Sequence, residues 1–362
     1  MRLLSFVSTL CTFACAAAAT MLRGTVLVTP PLTDVQPVTD AVALPLPAMV
    51  DIEHEFASWM DKFNVHFDSA EEYTRRFAVF ADNHLQIWAH NLRGTETVVL
   101  AHNQFSHLTL DEFATQHLGG QVPSADTRSW MWPVNADELY LLMANETFLP
   151  ASVDWVAAGA VTPVKDQGQC GSCWSFSTTG GIEGANFIKS GKLISLSEQQ
   201  LVDCDTATNQ GCNGGFMDDA FTYIKGNGLT TEAAYPYKAV QGACAISGKT
   251  LAIAVGAVKG FVDVPSGDEN ALQAAVAQQP VSVAFQANQL AFQFYSSGVL
   301  TGTCGKRLDH GVLAVGYGVD GSTPYWKVKN SWSASWGEGG YIRIQRGTDK
   351  CGIADAASYP LM

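Results

Sequence analysis

After His117 the chain holds a single histidine, His310, although it runs on to residue 362. Any chemistry there that needs an imidazole has to use it. A basic excess is also missing: 21 Lys and Arg stand against 34 Asp and Glu, a net charge of −13, which removes the electrostatic footprint of a nucleic-acid binder. The imbalance is steepest early, with 7 basic and 17 acidic residues in 1–148 against 14 and 17 in 149–362. No apolar run reaches the ~18 residues of a membrane span, so no membrane partner is expected. There is no second C-x-x-C and no His pair, which leaves a zinc site at Cys170 and Cys173 short of ligands. Neither metal nor cofactor is expected.

What is present begins with Arg2 and an apolar stretch from Leu3 to Ala19 closing on three alanines, the pattern of a secretory signal peptide, assigned to 1–20. Export predicts an oxidising environment and takes Cys11 and Cys15 away with the leader. Seven cysteines remain, at 170, 173, 204, 212, 244, 304 and 351. An odd number predicts three disulfides and one free sulfur, with about 15 pairings open to any six. Residues 21–50 carry five prolines and no periodicity, as in an extended lead-in. From Asp51, Phe56, Trp59, Met60 and Phe63, then Tyr73, Phe77, Phe80, Leu85, Ile87 and Trp88 recur at three- and four-residue steps and predict two amphipathic helices. A helix is expected from 173 to about 190, stopping near Gly191, and another over 217–225. Near the C terminus Trp326 and Val328 alternate with Lys327 and Lys329, and Ile342 and Ile344 with Arg343 and Gln345, which predicts half-buried strands. Helices followed by strands give an α+β fold.

The run Gln167-Gly168-Gln169-Cys170-Gly171-Ser172-Cys173-Trp174 resembles the C-G-S-C-W signature of papain-family cysteine proteases, and the resemblance extends from Leu149 to Met362. Upstream, Glu72, Arg76, Phe80, Asn83, Ile87 and Asn91 are similar to the interspersed E-R-F-N-I-N pattern in the inhibitory propeptides of cathepsin L-like members. Ala101, Asn103, Phe105 and His107 stand where those propeptides read G-x-N-x-F-x-D, with departures at Ala101 and His107. The resemblance implies a cathepsin L-like proenzyme. Its fold would be two-lobed and papain-like, a helical lobe plus a β-barrel-like lobe, with a helical inhibitory propeptide at 51–148 before a catalytic domain at 149–362.

A thiol with a pKa near 8.5 is a weak nucleophile at neutral pH unless its thiolate is stabilised. The resemblance makes Cys173 the nucleophile, at a helix N-terminus, and His310 its partner, the two resting as thiolate and imidazolium. Asn330 would orient the imidazole, with Trp332 shielding their hydrogen bond; Trp336 reads equally well as a plain core residue. Gln167 and the Cys173 N–H would form the oxyanion hole. Peptide hydrolysis would pass through a thioester acyl-enzyme. By position the disulfides would pair Cys170 with Cys212, Cys204 with Cys244, and Cys304 with Cys351. The pocket for the second residue before the scissile bond would be walled by Phe216, Met217, Ala284 and Leu308. Gly311 lies near its entrance, Ala356 at its floor, and Gly215 would pair with the substrate backbone.

Cys170-x-x-Cys173 also reads as a thiol–disulfide oxidoreductase motif, which leaves His310, Asn330 and Gln167 without a role; a catalytically inactive binding homologue is the other alternative. No further histidine exists for a cathepsin B-type occluding loop, and 20–148 hold no cysteine to tether a cathepsin H-type minichain, so an open cleft and endopeptidase action are expected. The expected partners are protein and peptide substrates, the chain's own propeptide and cystatin-like inhibitors, with the enzyme a monomer that is secreted or held in a lysosome- or vacuole-like acidic compartment. His107, replacing a carboxylate, is expected to titrate near pH ~6.5 and to raise the pH at which activation begins.

Overall fold

The structure is a computed structural model that describes residues 49–94, 96–119 and 149–362. The signal peptide, nearly all of the lead-in, and the 120–148 stretch with the Asn145 sequon lie outside the described residues. The two N-terminal helices form as their periodicity predicts: α1 (Met49–Phe63) and α2 (Ala70–Arg93). Ser69 caps α2 by accepting the Glu72 N–H, and Gly94 ends it in the left-handed conformation at φ 57°, where a residue without Cβ carries no steric penalty. Between the helices Phe56 is fully buried and its ring packs on Trp59, Phe67, Tyr73, Phe77 and Phe80. This is a small core of their own.

The rest of the segment has no such private core. After the short strand β1 (Val99–Leu100) and helix α3 (Leu110–His117), Ile87, Val98, Leu100, Phe105, Leu108, Phe113 and Leu118 all belong to the largest apolar cluster, together with Val283, Phe285 and Trp332. The interspersed polar pattern now has a physical reading. Asn83 Nδ2 donates to the carbonyls of Ser106 and Leu108 at 3.1 and 3.0 Å, Asn91 exchanges two hydrogen bonds with the Leu100 main chain, and Arg76 bridges Glu72 and Glu112. α2 thus holds the extended 99–108 stretch in shape.

The chain then supplies β2 (Val153–Asp154), α4 (Cys173–Ser190), α5 (Glu198–Cys204), α6 (Met217–Asn227), β3 (Leu229–Thr230), β4 (Leu251–Ile253), β5 (Gly260–Asp263), α7 (Glu269–Val276), β6 (Val281–Phe285) and α8 (Leu290–Gln293). Strands β7 (Tyr295–Ser297), β8 (Val299–Leu300), β9 (His310–Asp320), β10 (Thr323–Lys329), β11 (Tyr341–Gln345) and β12 (Ala357–Leu361) follow. The main sheet runs β5-β12-β6-β9-β10-β11-β8, with β2 added on β9. Trp326, Val328, Ile342 and Ile344 are buried as their alternation predicts. An α+β fold results, helices first and sheet second. Helix α4 packs closely on the sheet because two glycines leave room: a Cβ on Gly180 would fall 2.7 Å from Leu313 Cδ2 of β9, and one on Gly184 2.5 Å from Pro280 Cγ just before β6.

Three disulfides join Cys170–Cys212, Cys204–Cys244 and Cys304–Cys351, the pairing the resemblance implied, each worth ~2–4 kcal/mol. Cys173 is the free cysteine among the described residues. One prediction concerns the private core of α1 and α2. Phe56→Ala should cost it about 3–5 kcal/mol, read as a lower melting temperature and as premature reactivity of the Cys173 thiol at neutral pH. A thiol as protected as in the parent chain would show that this core does not support the blockade.

Candidate active site

Cys173 opens α4, and the preceding Ser172 takes the N-cap position without capping through its side chain. The first-turn N–H groups therefore carry their partial positive charge toward the thiol. His310 opens β9 on the facing sheet, and the N–H of its neighbour Gly311 donates to Cys173 Sγ at 3.3 Å. Asn330, just beyond β10, places Oδ1 2.8 Å from His310 Nε2 and also accepts the Ser331 N–H at 2.8 Å. That second bond fixes the oxygen toward the ring. The imidazole stacks on Trp332, ring centres 4.4 Å apart, and both residues are fully buried. Trp336 packs edge-on behind Trp332 and donates to the Phe292 carbonyl, as a core residue does.

Gln167 is held at both ends of its side chain. Its Oε1 accepts from Ser331 Oγ at 2.6 Å, while Nε2 donates to the carbonyls of Cys170 and His117, each at 3.0 Å. The His117 carbonyl belongs to the N-terminal segment, and Trp332 Nε1 points at the same oxygen from 3.3 Å. Phe105 and Phe113 set their rings edge-on to Trp332 at 5.7 and 5.1 Å, which carries the segment into the cleft. Gly119 then passes over the thiol: its N–H donates to the Asp309 carbonyl, and a Cβ on it would fall 2.3 Å from Cys173 Sγ. Only glycine fits there. Sequence reasoning missed His117, Gly119 and Ser331; the Gly119-Gly120 pair, a mark of close backbone approach, was the available signal.

Enclosure governs the electrostatics. Burial pushes the Cys173 thiol up to about 11, against the N–H groups of Gly311 and Trp174, and Asp309 adds to the rise. Burial likewise pushes His310 down to about 4, with the Asn330 hydrogen bond opposing. His310 Nδ1 has no hydrogen-bond partner. Desolvation therefore works against charge on both groups while the segment covers them.

Phe216, Met217, Ala284, Leu308 and Ala356 come together in one apolar cluster, and a Cβ on Gly311 would lie 3.3 Å from Met217 Sδ. Asp355 turns elsewhere, its carboxylate oxygens next to Gly267 and Gly352. Gly215 sits beside Asn209, whose Oδ1 accepts the Phe216 N–H at 2.6 Å. His107 departs from expectation. It is partly buried, its ring 5.1 Å from that of Trp59, and burial first, then Arg76, push it down to about 4. The docked ring is thus held neutral well below its free value, so its pH response lies in the difference between the docked and the freed state.

A family profile described as papain family cysteine protease matches residues 149–361, and one described as cathepsin propeptide inhibitor domain matches 56–113. The chain is 49% identical over 323 residues to a thiol protease of Hemerocallis sp., covering 86% of this chain and 88% of that protein. It is 50% identical over 324 residues to vignain of Ricinus communis, with the same two coverages of 86% and 88%. A KDEL-tailed cysteine endopeptidase of Arabidopsis thaliana is 46% identical over 321 residues, again covering 86% and 88%. Among solved structures, the proform of a ragweed pollen cysteine protease superposes with a TM-score of 0.78 at 38% identity, covering 87% of this chain and 96% of that one. A stem bromelain precursor gives 0.76 at 38%, covering 86% and 99%.

Release of the segment is linked to pH through its histidines. Hydrogen bonds from Arg75 and Arg76 hold Glu72 at about 2; at Glu112 burial is outweighed by the Thr109 N–H and the same arginines, again giving about 2. These carboxylates stay charged at pH 4. Burial, then His84 and Lys62, push His102 to about 3, His107 lies near 4, and burial lowers His117. Set free, each would titrate near pH ~6.5. Between there and pH 4 the released form binds more protons, so docking strength is complete above the free value and is lost as pH falls. His107→Gln and His117→Gln should each move the release midpoint to lower pH, measured by thiol titration across pH. A midpoint that stays put in both would exclude these two rings from the linkage.

Proposed function

We propose, for a chain that belongs to the papain family of cysteine proteases and is made as a latent endopeptidase with its own inhibitory propeptide, that Cys173 is the nucleophile and His310 its acid–base partner, with Asn330 orienting the ring and Gln167 and the Cys173 N–H binding the oxyanion. One observation carries this reading: a main-chain carbonyl of the propeptide, that of His117, takes the Gln167 amide N–H beside the free thiol. A carbonyl under attack needs a donor at that place. Departure of the propeptide readmits water, which lowers the cost of both charges, so that thiol and imidazole can exchange a proton. Attack by Cys173 then gives the thioester, His310 Nδ1 protonates the leaving amine, and water completes hydrolysis. The alternatives recede on the same grounds: Cys170 is already joined to Cys212, which leaves Cys173 no redox partner, and an inactive homologue has no use for a blocked thiol.

The preferred substrate carries Leu, Phe or Val as the second residue before the scissile bond. Phe216, Met217, Ala284, Leu308 and Ala356 lie in one apolar cluster, which supports reading them as the pocket's walls and floor, and a side chain of that kind buried there gains roughly 1.5–3 kcal/mol. An arginine would be left unpaired, at a high desolvation cost. The signal-like leader supports a secretory route to an acidic compartment or the cell exterior. The test of the pocket is a pair of peptides with Phe-Arg or Arg-Arg before the cleaved bond: kcat/KM should favour the first, and Ala356→Glu should bring the second into range. Equal values in the parent enzyme would remove Ala356 from the floor.

A further inference from the structure

We propose that Tyr237 is a positioning residue of the oxyanion site, its hydroxyl clamping the Gln167 main chain to Ser172 and so fixing both donors at once; this rests on the assignment of Gln167 and the Cys173 N–H made above. Tyr237 lies 70 residues from Gln167 and 65 from Ser172 along the chain, yet its Oη donates to the Gln167 carbonyl at 2.8 Å and stands 2.5 Å from Ser172 Oγ. A phenol has one proton to give. With that proton on Gln167, the Ser172 hydroxyl donates to Tyr237.

The direction of that bond has a consequence for the helix. A serine at an N-cap ordinarily turns its oxygen back to accept an N–H of the first turn, and Ser172 makes no such bond. Tyr237 draws the hydroxyl away. The N terminus of α4 is thereby left without a side-chain cap, and the Cys173 N–H at its first position is the donor a developing oxyanion would use. On the other side, the clamp holds the main chain of Gln167, whose amide Ser331 already orients. Tyr237 is itself fixed, its ring edge-on to Phe176 at 4.8 Å and its N–H on Glu232 Oε1 at 2.8 Å. Burial raises the phenol pKa, so the proton stays in place over the working range.

The experiment compares the processed parent enzyme with Tyr237→Phe, Gln167→Ala and the double variant, using kcat and KM on a peptide amide and the rate of alkylation by iodoacetamide. Alkylation needs the nucleophile but no oxyanion donor, so it separates positioning from general damage and checks that the variant is folded. Tyr237→Phe should lower kcat about ten-fold, with KM within about two-fold and an unchanged alkylation rate. Gln167→Ala should lower kcat about 10²–10³-fold, and the double variant should fall little further, because the two act as a unit. A crystal structure of Tyr237→Phe should find Ser172 Oγ turned onto a first-turn N–H of α4. An unaltered kcat, a parallel loss of alkylation, fully additive losses or an unmoved Ser172 would each overturn the clamp. An unaffected Gln167→Ala would instead overturn the oxyanion assignment beneath it.

Discussion

Trp332 is the contact at which the propeptide and the His310 ring meet. One face of its ring stacks on His310, while the edges of Phe105 and Phe113 meet it from the propeptide and Trp336 backs it. Its indole N–H points at the His117 carbonyl. Aromatic pairs set edge to face contribute through their quadrupoles as well as through buried area. A single side chain thus keeps the imidazole in plane and offers the propeptide its anchor. Loss of this ring would be felt at both ends.

Blockade of the cleft does more than occupy space. By shutting out water it makes charge on Cys173 and on His310 costly. The same desolvation acts on the cover, where His102, His107 and His117 are kept neutral by burial. Inhibitor and enzyme are therefore poised by one physical effect acting in the same sense on both. Water entering the interface would favour charge on both sides.

The grouping of Cys173, His310 and Asn330 was legible because so few residues could fill it: one histidine after residue 117, one odd cysteine, and a signature around it. The α+β order and the strands around Trp326 and Ile342 were legible because period and alternation survive in the sequence. Other features were not. His107 was expected to titrate as a free imidazole, and only tertiary packing against Trp59 reveals that it is partly buried. Gly119 over the thiol and Tyr237 beneath Gln167 join positions 54 and 70 residues apart, and no local pattern encodes such a meeting.

Seven residues of the propeptide, from Ile87 to Leu118, lie in the same apolar cluster as the sheet of the enzyme. Their removal on maturation leaves the sheet without part of the surface it was assembled against, and β7 loses its pairing with β1. The chain that folds is thus not the chain that works. Equilibrium between folded and unfolded forms belongs to the precursor, while the mature enzyme persists by the height of its unfolding barrier and by the three disulfides that outlast its template.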